Sequence, residues 1–122
     1  MNYHAHVYWQ NEDQRRKALY LRDELTSLGC SLGRIMEHPI GPHPLPMYQV
    51  NYSSVNAADV ETLLEHSKLD VLLHEDTGDD LRDHTHGARW LGNKLKLDLA
   101  WLEEYTRKQN ETRINTTSDQ TQ

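Results

Sequence analysis

Histidine is concentrated in three stretches of this chain: Tyr3-His4-Ala5-His6-Val7-Tyr8-Trp9, Gly41-Pro42-His43-Pro44, and the run from His74 to His86 that also carries His84. Neutral imidazole is the commonest protein ligand for divalent transition metals, and its charge changes near physiological pH. Three separated stretches, each at the end of an expected strand or in an expected loop, could converge on one ion. Histidines used as wettable sheet-face residues would explain one or two of these positions but not the set. Glu75, Asp76, Asp79, Asp80 and Asp83 add carboxylates that could complete a two-histidine, one-carboxylate site. Asp79 and Asp80 fit equally well as turn formers after Gly78, and Asp83 could instead orient a histidine from behind. Arg82 and Arg89 could receive a carboxylate as a fork, although structural salt bridges are the commoner use. His38 and His66 sit at element ends and are expected in solvent.

The elements that must position these side chains can be read from periodicity. Tyr3 to Trp9 predicts a first strand, with Ala5 and Val7 on one face and His4, His6 and Tyr8 on the other. Asn11-Glu12-Asp13 supplies cap chemistry for a helix whose apolar stripe is Ala18, Leu21, Leu25 and Leu28, ending at Gly29. Ser31 to His38 predicts a second strand. The four prolines then fall between Pro39 and Pro46, a stiff loop poor in backbone donors. Met47 to Tyr52 predicts a third strand, residues 57–66 a second helix capped by Ser54 or Asn56, and Asp70 to His74 a fourth strand. Ala88 to Leu91 follows a turn-like stretch, Lys94 to Leu99 alternates as an added edge strand would, and Trp101 to Arg107 fits a short helix.

The order β-α-β-β-α-β with right-handed crossovers predicts an α+β, ferredoxin-like split βαβ sandwich with a C-terminal extension. Ala5, Val7, Tyr48, Val50, Val71 and Leu73 should then face the helices. His4, His6, Tyr8, Gln49, Asn51 and His74 should share the opposite face, expected to be open. The first strand should lie beside the fourth, making His6 and His74 neighbours, with His43 brought over them by the proline-rich loop and His84 or His86 added from the segment after Asp83.

A length of 122 residues supports one domain, expected over residues 1–108, with a polar tail at 109–122 too poor in apolar side chains to bury surface. A net charge of −6 without a basic stripe argues against nucleic acid as a partner. No apolar run approaches the roughly 20 residues that span a bilayer, and the N-terminus has no export signal. The single cysteine, Cys30, fits a half-buried structural residue in a reducing, cytoplasmic setting.

His-Ala-His-Val-Tyr-Trp, Gly-Pro-His-Pro-Leu-Pro-Met-Tyr-Gln-Val, and His-Glu-Asp-Thr-Gly-Asp-Asp-Leu-Arg-Asp-His-Thr-His followed by Trp-Leu-Gly resemble, in order and spacing, the DOPA 4,5-dioxygenase family. The resemblance covers residues 3 to about 99. One departure is His74-Glu75-Asp76-Thr77-Gly78, where the family usually carries His-Pro-Asn-Thr-Gly; it adds negative charge.

The resemblance implies a non-haem Fe(II) extradiol dioxygenase that opens the ring of DOPA or a related catecholic acid with O₂, with Mn(II) or Zn(II) as alternative occupants in purified protein. It implies His6, His74 and His84 as metal ligands and His43 as the acid/base or a fourth ligand. Substrate contacts are expected from His4, Tyr8, Gln49 and Arg82. A homodimer is expected, because Leu95, Leu97 and Leu99 look like apolar surface seeking a partner. The alternatives are an enzyme of different mechanism on the same fold, and a non-enzymatic dimeric module that binds a small molecule across its sheet face.

Overall fold

The computed structural model describes residues 1–120, with side chains as far as 112. The elements are β1 (Asn2–Tyr8), α1 (Glu12–Ser27), β2 (Ser31–Leu32), β3 (Met47–Ser53), α2 (Ala57–His66), β4 (Val71–Glu75), α3 (Asp80–Asp83), β5 (Ala88–Leu91) and α4 (Leu99–Gln120). They build a five-stranded antiparallel sheet in the order β2-β3-β1-β4-β5. The first four strands and two helices form the predicted ferredoxin-like α+β core.

The periodicity of β1, β3 and β4 decides what each face does. Ala5, Val7, Tyr48, Val50, Val71 and Leu73 are buried against Ala18, Leu21 and Leu25 of α1 and Val60 and Leu64 of α2. Asn11 caps α1, its side-chain oxygen accepting from Gln14 N–H at 2.9 Å. Gly29, at φ +94°, ends the helix in the left-handed conformation expected of a C′ glycine. Asn56 begins α2, but its amide is used elsewhere: it accepts from Ser53 N–H and donates to Leu28 O, tying the end of α1 to the start of α2.

The opposite sheet face is covered, which corrects the expectation of an open one. Tyr8, Met47, Leu72 and Leu97 form a second buried cluster, with Met36, Leu45, Ala88, Trp90 and Leu95 packed against it. Leu97 therefore spends its apolar surface inside the chain, and the face expected to support dimerisation is occupied by the chain's own C-terminal segment.

Three further expectations change. The second strand shrinks to Ser31–Leu32 plus one bridge between Met36 and Met47, because the chain leaves the sheet toward its proline-rich loop. The fifth strand is Ala88–Leu91, not Lys94–Leu99. Gly92, at φ +71°, turns the chain away, and Asp70 fixes that turn by accepting from Asn93 N–H at 2.7 Å. A Cβ at Gly92 would lie 2.6 Å from Asp70 Oδ1, so a side chain cannot enter this turn without displacing its anchor. Residues 94–98 are consequently free to fold over the sheet.

α4 runs from Leu99 to Gln120, well past the Arg107 end predicted. Arg107 pairs with Glu104 and Glu111, one turn away on either side, which supports a solvent-facing helix of polar composition. Residues 121–122 of the expected tail lie outside those described. Among the described residues no helix is long and apolar enough to cross a membrane.

Candidate metal centre

β1 and β4 bring the first two candidate ligands together. In the antiparallel register His4 faces His74 directly, while His6 faces Leu72. His6 and His74 therefore meet on the diagonal, and their Nε2 atoms come within 2.9 Å. Helix α3 delivers the third. Asp79 caps it by accepting from Arg82 N–H at 3.1 Å, and His84 follows as its C-cap residue. The ring of His84 lies 4.2 Å from that of His74 and 5.6 Å from that of His6, centroid to centroid. Ring nitrogens of His6, His74 and His84 all lie within 4.8 Å of one another.

Backbone carbonyls set the tautomers of two of these rings. His74 Nδ1 is 2.7 Å from Glu75 O, and His84 Nδ1 is 2.7 Å from Asp80 O. A carbonyl only accepts, so each Nδ1 carries the hydrogen and each neutral ring keeps a bare lone pair on Nε2. That is the arrangement by which ligand histidines are held in place. The third ring supplies a different sign of a missing partner: His6 is buried, and its Nδ1 has no hydrogen-bond partner among the described residues. Three imidazoles with converging nitrogens and no carboxylate among them fit a divalent transition metal.

Burial keeps His6, His43 and His74 uncharged. It lowers the pKa of His74 to about 4 and that of His43 to about 3, helped in both by His84. His6 is driven well below the ordinary imidazole value by burial and by His43, His74 and His84 around it. The nitrogens of His6 and His74, which would have to be unprotonated to bind a cation, are thus ready at neutral pH.

His43 enters from the proline-rich loop, its ring 4.2 Å from that of His6. Its Nδ1 lies 2.7 Å from the hydroxyl of Tyr8. Tyr8 is fully buried, and among the described residues His43 is the only partner of that hydroxyl. Burial also pushes the Tyr8 phenol well above its usual pKa, so it stays protonated. A buried O–H must place its hydrogen on an acceptor, and Nδ1 is the acceptor present. His43 accordingly carries its own hydrogen on Nε2, the reverse of His74 and His84.

Asp83, which the sequence offers as a ligand or as a histidine's support, does neither. It is 1% exposed and accepts from Thr77 N–H at 2.8 Å, Thr77 O–H at 2.7 Å and Arg82 Nη1 at 3.1 Å. This latch closes the loop that leads into α3 and so places His84 from a distance. The residues that depart from the family pattern are also engaged: Asp76 Oδ2 lies 3.3 Å from His4 Nε2, and Glu75 lies 3.7 Å from Arg82.

Beside the cluster is a cavity of about 850 Å³, lined by His43 and His84, by Trp90, Leu95, Leu97 and Leu99, and by Lys94 and Lys96. Its volume suits an aromatic small molecule. Trp90 also stacks on Tyr8, with ring centroids 6.0 Å apart, so it packs against the second buried cluster and lines the cavity as well. The expected substrate residues are placed differently. His4 pairs with Asp76, Gln49 donates to Asn51 at 2.8 Å, and Arg82 binds Asp83; none of the three lines this cavity. His86 is exposed and outside the cluster, and His38 and His66 are exposed as expected. The cavity wall from residues 94–98 was missed in the sequence because its alternating leucines read as a strand.

Comparison with known proteins gives three results. The model of the Dopa 4,5-dioxygenase family matches residues 3–101. The DOPA 4,5-dioxygenase of Amanita muscaria is 32% identical over 111 residues, covering 82% of this chain and 49% of the fungal protein. An uncharacterized 21.2 kDa protein of Botryotinia fuckeliana is also 32% identical over 111 residues, covering 80% of this chain and 60% of its own. The chain thus spans about half the length of the first fungal relative and three fifths of the second. A crystal structure from Nostoc punctiforme, titled a "putative dioxygenase", superposes with a TM-score of 0.80 at 36% identity, covering 85% of this chain and 92% of that one.

Proposed function

Because the chain belongs to the Dopa 4,5-dioxygenase family, we propose that it is a non-haem Fe(II)-dependent extradiol dioxygenase that opens the ring of a catecholic acid with O₂. The observation that carries this reading is the convergence of His6, His74 and His84 beside an apolar cavity large enough for an aromatic ring. These three histidines would hold the metal. Iron, when bound, supplies a centre at which both catechol oxygens and dioxygen can be brought together.

The chain's own residues then have separable tasks. His74 and His84 are oriented by Glu75 O and Asp80 O, so that their lone pairs do not have to be reorganised for binding. Trp90, Leu95 and Leu97 form the wall against which the substrate ring would rest and from which water is excluded. His43 lines the same cavity, and with Tyr8 donating to its Nδ1 it presents an N–H on Nε2. His43 is therefore the hydrogen-bond donor of this reading, its neutral N–H directed at oxygen that becomes negative as the ring opens.

The test is anaerobic Fe(II) loading of the purified protein, followed by exposure to air with a set of catechols and measurement of visible absorbance. A yellow ring-opened product from the iron-loaded protein, lost in His43→Ala, is expected. Retention of iron without product from any catechol would overturn the proposal.

A further inference from the structure

We infer that Lys94 and Lys96 form an anion-recognising wall of the cavity, so that the enzyme selects catechols bearing a carboxylate on their side chain. This inference rests on the catechol reading above.

Three features meet in one cavity: the imidazoles of His43 and His84, an apolar wall built around Trp90 and Leu97, and the two lysines. An uncharged ring would need only the first two. Acids outnumber basic residues in the chain by 19 to 13, so a cavity lined by chance would lean toward carboxylates. The reverse is found: Asp98 is the acidic residue of the lining, against two lysines. Asp98 is moreover committed to the start of α4, where its Oδ1 accepts from Trp101 N–H at 3.0 Å. Among the described residues neither lysine pairs with a carboxylate, so both are available to an anion that enters the cavity.

The lysines are placed there by the same turn that ends β5. Gly92 and the Asn93–Asp70 hydrogen bond send the chain back over the sheet, and Leu97 anchors it by burial. Arg82 and Arg89, which the sequence suggested as carboxylate receptors, are already neutralised by Asp83 and Glu61. The cationic function at the cavity falls instead to residues 94 and 96. Both lysines are exposed, so each offers a carboxylate in the cavity a partly screened ion pair.

Calorimetric titration of the anaerobic Fe(II)-loaded protein with 3-(3,4-dihydroxyphenyl)propionate, 4-ethylcatechol and dopamine tests this. The three share a ring and differ in the charge of the side chain. The propionate is expected to bind at least about fivefold more tightly than 4-ethylcatechol, the sum of two partly screened ion pairs. In the double variant Lys94→Gln/Lys96→Gln the ratio of the two affinities should fall to about one. In Lys94→Glu/Lys96→Glu the preference should pass to dopamine. Equal binding of the three ligands by the wild-type protein, or a ratio unaltered in the glutamine variant, overturns the inference while leaving the catechol reading intact. Failure of every catechol to bind overturns both.

Discussion

His6 and His74 touch through Nε2 at 2.9 Å although the strand register pairs His6 with Leu72 and His74 with His4. Because Glu75 O holds the hydrogen of His74 on Nδ1, His74 turns a lone pair toward His6. In the metal-free chain His6 Nε2–H donates to that lone pair, and a cation shared by the two rings would take the place of this hydrogen. His6→Ala and His74→Ala should each fold yet retain far less than the roughly one metal ion per chain expected of a three-histidine site. Metal content after anaerobic Fe(II) loading and gel filtration measures this, and full retention by both variants would refute the ligand assignment.

The apo protein should lose stability on acidification. The folded-state pKa of His74 is about 4 and that of His43 about 3, both below the ordinary value of 6.5. Between those values and 6.5 the unfolded chain binds protons that the folded chain refuses. Stability is therefore fully present above pH 6.5 and falls as pH drops toward 3 to 4, by up to about 1.4 kcal/mol per pH unit for each histidine. Denaturant unfolding of metal-free protein between pH 7.5 and 4.5 checks the slope. In His43→Gln/His74→Gln the slope should become shallower, and an unchanged slope would show that these histidines are not buried neutral.

Asp83 is the latch of the loop that carries His84. Asp83→Ala leaves the Thr77 and Arg82 donors without their acceptor and should cost about 3 kcal/mol of folding stability. Thr77→Ala should cost about 1 kcal/mol. Both should weaken metal retention, since His84 is placed by the loop they close. Thermal unfolding and a metal competition assay read the two effects separately; normal metal affinity in Asp83→Ala would mean that α3 positions His84 unaided.

Tyr8→Phe removes the donor that fixes the tautomer of His43. It should keep the metal ligands intact but lower turnover in the direction of His43→Ala, for which a loss of about 10²-fold or more is expected of a hydrogen-bond donor to a developing oxyanion. Metal stoichiometry near that of the wild type together with reduced turnover is the predicted pattern. Nitrogen NMR of His43 should show its hydrogen leaving Nε2 for part of the population, a signature that a packing defect alone would not produce. Wild-type turnover in Tyr8→Phe would remove Tyr8 from the mechanism.

Much of the fold and of the candidate site was legible along the chain because strand alternation is a local property. Alternation in Tyr3–Trp9 and Met47–Tyr52 put Ala5, Val7, Tyr48 and Val50 on one face and His6 and Tyr8 on the other, and the structure keeps that division. The β-α-β-β-α-β order then placed the first strand beside the fourth, which is enough to bring His6 near His74. What the pattern could not supply was anything that depends on where a loop goes after leaving the sheet. Leu95, Leu97 and Leu99 alternate just as a strand would, but the turn at Gly92, held by Asp70 more than twenty residues earlier, removes them from the sheet edge. Asp83 looked like a ligand by its type; a threonine six residues before it made it a latch.

The sequence by itself determined which histidines share a sheet face, since side-chain direction along a strand follows from a two-residue repeat. Only the tertiary structure decided which of them bind together, which one is set apart by Tyr8, and what lines the cavity beside them. Those outcomes rest on hydrogen bonds and packing between segments far apart in the chain, whose geometry no local periodicity encodes.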